Sequence, residues 1–459
     1  MPSLDEIKRY SVIVCDQIRW KKAHPCIAQE IEDHLCDQRD SYIAEGEEEG
    51  AATQKAITQM GDATQIGIML DKTHRPKPQW MLILITISLI LLGTLVRYLI
   101  YNSEGSARNF NVLSTFLAII IFLAAYFFDF TTFSKYPRVC YFIILLLSIV
   151  SLSVATHING RAYFSFGWGL SIGLSNLALI FPLTYSLFIY AMRNRGTLGI
   201  LLCGVAYLPY AILLLLVPST TGFILYTFSA LLLLLTAIKR EWFSKKTRWS
   251  MLMVFIPTAV SMFLSAVLLL QQPYRLERLK IMLDPASDPR GYQTLMIREL
   301  MSGAIFAGSG YVPQQYDGMM SSSWFGSDMI LTVLTNQYGW LAFIGIVLLF
   351  FVFSALGLKY IAKQRSVLGL LVSLSILTIF VAQVVLYVAM NLGYGVLTVL
   401  SLPFISDGNA MLLLNAGLIG ILLSVFRTGE VIRDGYRAKV DNGSLISYED
   451  GKLIINLKR

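Results

Sequence analysis

The sequence predicts an all-α polytopic membrane protein. It has about ten transmembrane helices, a small helical cytoplasmic N-terminal domain and a short C-terminal β-hairpin tail. Composition, a series of apolar runs and the placement of Lys and Arg carry this reading. Of 459 residues, 55% are hydrophobic and only 14% are charged, against about 25% charged in an average soluble domain. Mean hydropathy is +0.62. The net charge of +8 does not point to nucleic acid, because the basic residues sit in short loops between apolar runs, where they set orientation.

Residues 1–79 contain no membrane-length apolar run and form the predicted helical prefix domain. Ser3-Leu4-Asp5-Glu6 reads as a capping box. Ile7, Tyr10, Val14 and Ile18 then give an apolar stripe at helical spacing. Further helices are expected over 26–44 after Pro25, from Ala51 to about Gly61, and over 63–70. The run Ala28 to Leu35 followed by Gly61-Asp62 resembles the short helical prefix domains found ahead of some bacterial permeases and membrane sensors. His24-x-Cys26 and His34-x-Cys36 fit no standard zinc spacing, and ordinary helix packing explains them better. The five cysteines make no disulfide framework, since none falls in a predicted outer loop. No cleavable signal peptide is expected from the polar first residues.

A helix needs about 20 mostly apolar residues to cross a bilayer. Ten runs meet that need: 80–101, 110–128, 138–156, 168–191, 198–217, 221–238, 250–270, 327–357, 366–392 and 407–426. With the prefix inside, the short inner loops hold twelve basic residues. These are Lys135, Arg138, Arg193, Arg195, Lys239, Arg240, Lys245, Lys246, Arg248, Lys359, Lys363 and Arg365. The short outer loops hold only Arg108 and Arg161. Both termini are therefore expected in the cytoplasm, and the long polar loop 271–326 outside. Residues 431–459 form a soluble tail, where Ser444–Tyr448 and Leu453–Leu457 flank Asp450-Gly451 as in a hairpin.

Chemistry is expected at the long loop. Asp328 stands at the outer end of the eighth run, where partial desolvation would raise its pKa toward general-base duty. The same place suits a helix N-cap by Ser327 or Asp328, and spacing alone favours the cap. Arg275 and Arg278 share a helical face and suit either a phosphate group or lipid headgroups. Arg161 departs from the basic-inside trend. Residues 293–307 read as an amphipathic helix lying on the outer membrane surface. No Walker loop, HExxH motif or Ser/His/Asp triad is present. No charge stands clearly at mid-membrane, as an ion-coupled transporter would usually need.

Several blocks resemble the SEDS family (shape, elongation, division and sporulation). Tyr274-Arg275-Leu276-Glu277-Arg278, Asp284-Pro285, Asp288-Pro289, Gly291-Tyr292-Gln293, Gly308-x-Gly310, Ser327-Asp328 and Tyr338-Gly339 follow the order of that family's large outer loop. Asn391-Leu392-Gly393, Leu402-Pro403-Phe404-Ile405-Ser406 and Arg427 form a second block. Asn159-Gly160-Arg161 with Leu174-Ser175 forms a partial third. The resemblance covers about 80–430.

The resemblance implies a peptidoglycan glycosyltransferase that polymerises lipid II at the outer face of the bacterial plasma membrane, in division, shape or sporulation. It carries the family's essential aspartate onto Asp328 as general base, which reverses the preference for a cap. Arg275, Arg278, Arg161, Tyr292 and Gln293 become substrate-binding candidates. A divalent cation, Mg2+ or Mn2+, could neutralise a diphosphate leaving group, and no organic cofactor is implied. The implied partners are lipid II, a class B penicillin-binding protein and membrane lipids, with no nucleic acid. A lipid-linked precursor transporter and a non-catalytic scaffold for a penicillin-binding protein are the alternatives. The family's Gln-Pro-Ser-Glu in the fourth span is Gly173-Leu174-Ser175-Asn176 here, with no lysine following. Its usual Pro-Asp before the sixth span is Pro218-Ser219, and the acidic pair after the key aspartate is Asn336-Gln337. Its Ser-Tyr-Gly-Gly is Ser406-Asp407-Gly408-Asn409. These departures favour the scaffold, whereas retained Asp328 favours the enzyme.

Overall fold

A computed structural model describes residues 2–103, 112–158, 161–165, 171–217, 219–243, 260, 263, 277, 280–281, 283–316, 328–394, 400–406, 408–429, 446–449 and 452–455. The chain divides into two compact units, Pro78–Arg427 and Met1–Lys77 with Thr428–Arg459.

In the first residues four helices follow one another: α1 (Pro2–Asp16), α2 (His24–Ala44), α3 (Glu49–Met60) and α4 (Ala63–His74). The stripe Ile7, Tyr10, Val14 and Ile18 is buried against Ile27, Ile31, Leu35 and Ala56. Polar contacts then fix the helix ends. The Tyr10 hydroxyl donates to the Gly61 carbonyl at 3.0 Å, where φ of +97° ends α3. The Arg19 N–H donates to Asp71 Oδ1 at 2.9 Å. Asp62 caps α4 by accepting from the Thr64 N–H. The capping box expected at Ser3 is not at the helix start: α1 begins at Pro2, a residue suited to a first helical position, so Ser3 lies within the first turn. Among the described residues no three His, Cys, Asp or Glu side chains gather as a metal site. In the tail, β4 (Ile446–Glu449) pairs antiparallel with β5 (Lys452–Ile455).

The larger unit is built from α5 (Trp80–Ser103), α6 (Val112–Phe127), α7 (Pro137–Ser153), α8 (Phe181–Met192), α9 (Gly196–Leu216) and α10 (Thr220–Lys239). After these come α11 (Tyr292–Ser302), α12 (Ile330–Tyr338), α13 (Trp340–Ala362), α14 (Val367–Asn391) and α15 (Asn409–Thr428). Among the described residues seven helices are long and apolar enough to cross a membrane, and α6 and α7 are shorter apolar helices. The run 250–270 lies outside the described residues, apart from 260 and 263.

Two expected spans are not single helices. Residues 168–191 include β3 (Ser171–Gly173), which pairs with β2 (Arg161–Ser165), itself paired with β1 (Thr156–Ile158). This small sheet is an addition to the helical architecture. A 3-10 segment, Leu174–Leu179, follows, and α8 restarts with Pro182 in its first turn. Residues 327–357 break at Gly339, whose φ of +89° ends α12 and starts α13. A Cβ there would lie 2.6 Å from the Phe306 carbonyl oxygen, so the close backbone approach requires glycine.

The centre of the bundle is α8, which packs against α7, α9, α10 and α14. Five fully buried tyrosines lie on it and on the helices around it. Their hydroxyls settle on backbone and hydroxyl groups, because lipid offers no water to satisfy them. Tyr185 donates to the Cys203 carbonyl at 3.0 Å, Tyr141 to that of Ala206, and Tyr226 to that of Tyr207 at 3.4 Å. Tyr210 donates to the Tyr141 carbonyl at 3.0 Å, and Tyr207 pairs with the Thr227 hydroxyl at 2.7 Å. Three carbonyls of α9 thus receive phenols in the turns just before Pro209, which itself has no N–H to give.

Candidate functional site at Asp328

Asp328 is exposed and immediately precedes α12. The N-cap position of α12 is Met329, and no side chain caps from there. The cap instead comes from another helix. Asn391, at the end of α14, accepts with Oδ1 from the Thr332 N–H at 3.0 Å and from the Thr332 hydroxyl at 2.9 Å. Its Nδ2 donates to the Asp328 carbonyl oxygen and to the Tyr387 carbonyl, each at 3.1 Å. Asn391 and Thr332 are fully buried. Both halves of one amide therefore fix the backbone on which Asp328 stands, and satisfy an N–H that a helix start leaves open.

Tyr387, also fully buried, lies one turn before Asn391. Its side chain shares a hydrogen bond with Ser406 and lies in the field of Asp328. The Ser406 hydroxyl oxygen accepts from the Leu402 N–H at 2.8 Å, closing the Leu402–Ser406 turn. Gln383 anchors the start of that turn by donating to the Ser401 carbonyl at 2.7 Å. Inside it Phe404 has φ of +67°, a strained value for a bulky residue.

The segment around α11 is strapped to the same helices. α11 buries Thr294, Met296, Ile297, Leu300 and Met301. Asn336, fully buried on α12, donates through Nδ2 to the Leu300 and Tyr311 carbonyls at 3.0 and 3.1 Å. The Ile305 and Phe306 carbonyls accept from the Trp340 and Leu341 N–H groups at 3.0 Å, capping α13. Arg298 Nε donates to the Gly393 carbonyl at 2.9 Å, tying α11 to the chain after α14. Tyr316 donates to Glu299 at 2.9 Å; partial burial and then the Glu299 carboxylate push its phenol up from its ordinary value.

Of the residues singled out from sequence, Tyr292 is exposed and Gln293 half-buried, together at the start of α11. Arg161 opens β2 and pairs with Ile158. Arg275 and Arg278 lie outside the described residues. Sequence reasoning missed Thr332, Tyr387 and the role of Asn391. The Asn391-Leu392-Gly393 block was a signal, but it did not show where the amide would reach. Where the departures fall is also informative. Asn336 faces two carbonyls, which an ionised carboxylate could not satisfy. Ser175 and Asn176 are buried in the 3-10 segment, and Asn176 Oδ1 has no hydrogen-bond partner among the described residues.

The family model for FtsW, RodA and SpoVE, described as "Cell cycle protein", matches residues 77–430. The chain belongs to this family. Stage V sporulation protein E of Bacillus subtilis is 29% identical over 164 residues, 35% of this chain and 44% of that protein. A Trichlorobacter lovleyi protein named "Probable peptidoglycan glycosyltransferase FtsW" is 27% identical over 36% of this chain and 44% of its own length. The chain thus matches less than half the length of these curated relatives. Among solved structures, one titled "Structural coordination of polymerization and crosslinking by a peptidoglycan synthase complex" superposes with a TM-score of 0.60. It is 22% identical and covers 76% of this chain and 98% of the other. Rod shape determining protein RodA of Thermus thermophilus gives 0.53 at 16% identity, covering 77% and 97%. These likenesses establish a polytopic SEDS membrane fold.

Proposed function

We propose that this chain is a peptidoglycan glycosyltransferase polymerising lipid II at the outer face of the plasma membrane, with Asp328 as general base. One observation carries the reading: an exposed carboxylate at the head of a buried helix, its backbone held by the four-bonded Asn391 amide. A general base must be fixed in place yet reachable. Asp328 takes the proton of the acceptor sugar's 4-hydroxyl as that oxygen bonds to the anomeric carbon of the growing chain. The bond from that carbon to the lipid diphosphate breaks, and the diphosphate leaves with the electron pair. Tyr292, Gln293 and Arg161, with Arg275 and Arg278, are the proposed substrate contacts, the arginines suiting the diphosphate.

The described donor set does not make a resident site for Mg2+ or Mn2+, and no step is assigned to a cation. A divalent ion is proposed to arrive on the substrate's own diphosphate oxygens. Both termini are proposed to be cytoplasmic, on the twelve-to-two excess of basic residues in the short loops. The names borne by the relatives support the activity. The synthase-complex likeness supports a penicillin-binding protein as partner.

The test is labelled lipid II supplied to the purified chain, with and without a class B penicillin-binding protein. Glycan strands that disappear in Asp328→Asn are expected. Strands formed equally by that variant, or lipid II crossing liposomes with no strands, would overturn the reading.

A further inference from the structure

We propose that Gly93 and Arg97 of α5 are positioning residues for the Asp328 site, acting through the strained turn at Phe404 and the contact of Ser406 with Tyr387. The proposal rests on the glycosyltransferase reading above. Its starting point is a charge in an expensive place. α5 turns Leu82, Leu89, Gly93 and Arg97 inward, and Arg97 is only 4% exposed. By helical rise Arg97 lies roughly 25 Å along α5 from Trp80, near one end of the span. A guanidinium buried in a membrane helix is costly and seldom without a task.

The side chain folds back along its helix. Nε donates to the Gly93 carbonyl at 3.0 Å, and the guanidinium reaches the Thr115 hydroxyl on α6 at 3.5 Å. Thr94 donates to the same Thr115 oxygen at 3.4 Å. The arginine therefore ties α5 to α6 at the turn where α5 meets the rest of the bundle. At that turn Gly93 has no side chain for a reason. A Cβ there would lie 2.0 Å from the Phe404 carbonyl oxygen and 2.8 Å from the Ile405 Cα.

So α5 forms a wall behind the Leu402–Ser406 turn. The turn holds a non-glycine residue at positive φ, a conformation that persists only when its surroundings over-determine it. Its last residue, Ser406, bonds to Tyr387. Tyr387 in turn gives its carbonyl to Asn391, which holds the Asp328 backbone. From Arg97 to Asp328 the contacts run through buried groups, without any of the α5 residues touching substrate.

The experiment compares wild type, Gly93→Ala, Arg97→Met, Arg97→Lys and Leu91→Ala in full-length protein with its penicillin-binding partner. Fluorescent lipid II is the probe, and rates are recorded from acid to neutral pH per mole of folded protein. Leu91 is 57% exposed on the opposite side of α5 and should match wild type. Gly93→Ala and Arg97→Met should lower kcat by about 10- to 100-fold, the scale expected for small misplacements of a catalytic group. They should leave KM for lipid II unchanged and displace the acid limb of the pH profile. Arg97→Lys, which keeps the charge, should recover much of the rate. If Gly93→Ala does not fold, Arg97→Met carries the test. A rate loss with an unmoved acid limb, or no recovery in Arg97→Lys, would overturn the proposal while leaving the activity standing. No strands from wild type would overturn both.

Discussion

Two places in the bundle interrupt a membrane helix before it has properly begun, and they are built in opposite ways. Before α8, the 3-10 segment Leu174–Leu179 buries Ser175 and Asn176 among apolar side chains, and Asn176 Oδ1 lacks a partner among the described residues. Before α13, Asp328 and the short α12 stand on an amide whose hydrogen bonds are all used. By the resemblance, the family carries a carboxylate where Asn176 and Asp328 stand. Here one has become neutral and poorly satisfied, and the other keeps its carboxylate on fixed backbone. Chemistry is expected to have stayed at the second place and to have weakened at the first.

The comparison can be broken at four points. Asp328→Asn should cut lipid II polymerisation by about 10²- to 10⁴-fold, the usual worth of a general base, as read by gel analysis of strands. Asn391→Leu should destabilise by about 1–3 kcal/mol, because the buried Thr332 N–H and the Asp328 and Tyr387 carbonyls lose a hydrogen-bond partner. A lowered Tm together with slowed polymerisation would show it. Asn336→Asp should cost a similar or slightly smaller amount, about 1–2 kcal/mol, since a carboxylate cannot donate to the Leu300 and Tyr311 carbonyls; thermal unfolding in detergent measures it. Asn176→Leu should have the smallest effect, stabilising by up to about 1 kcal/mol as an unpaired buried oxygen is removed. It should also leave polymerisation near wild type. A large activity loss there would mean that the first interruption still takes part in catalysis.

The spans were legible because an apolar run of membrane length has few other meanings. Their interruptions were not. Gly339 reads as one small residue inside a long apolar run, and only the Phe306 carbonyl packed against it explains the break. The sheet over Thr156–Gly173 was hidden because its strands are only three to five residues long, too short for a strand pattern to stand out beside apolar runs of membrane length. At the candidate site, Asp328 stands out only through its resemblance to a known motif, whereas spacing alone favours a cap. The actual cap is Asn391, 59 residues away from Thr332. Periodicity carries no information about such a pairing, which depends on where α14 ends relative to α12.

The phenols resting on α9 bear on how the protein is made. Pro209 leaves the Val205 carbonyl without its usual helical donor. Hydroxyls reach neighbouring carbonyls of α9 from α7 and α8, which emerge earlier from the ribosome, and from α10, which emerges later. During synthesis α9 therefore enters a membrane already holding two of its three donors, and its last bond waits for the next helix.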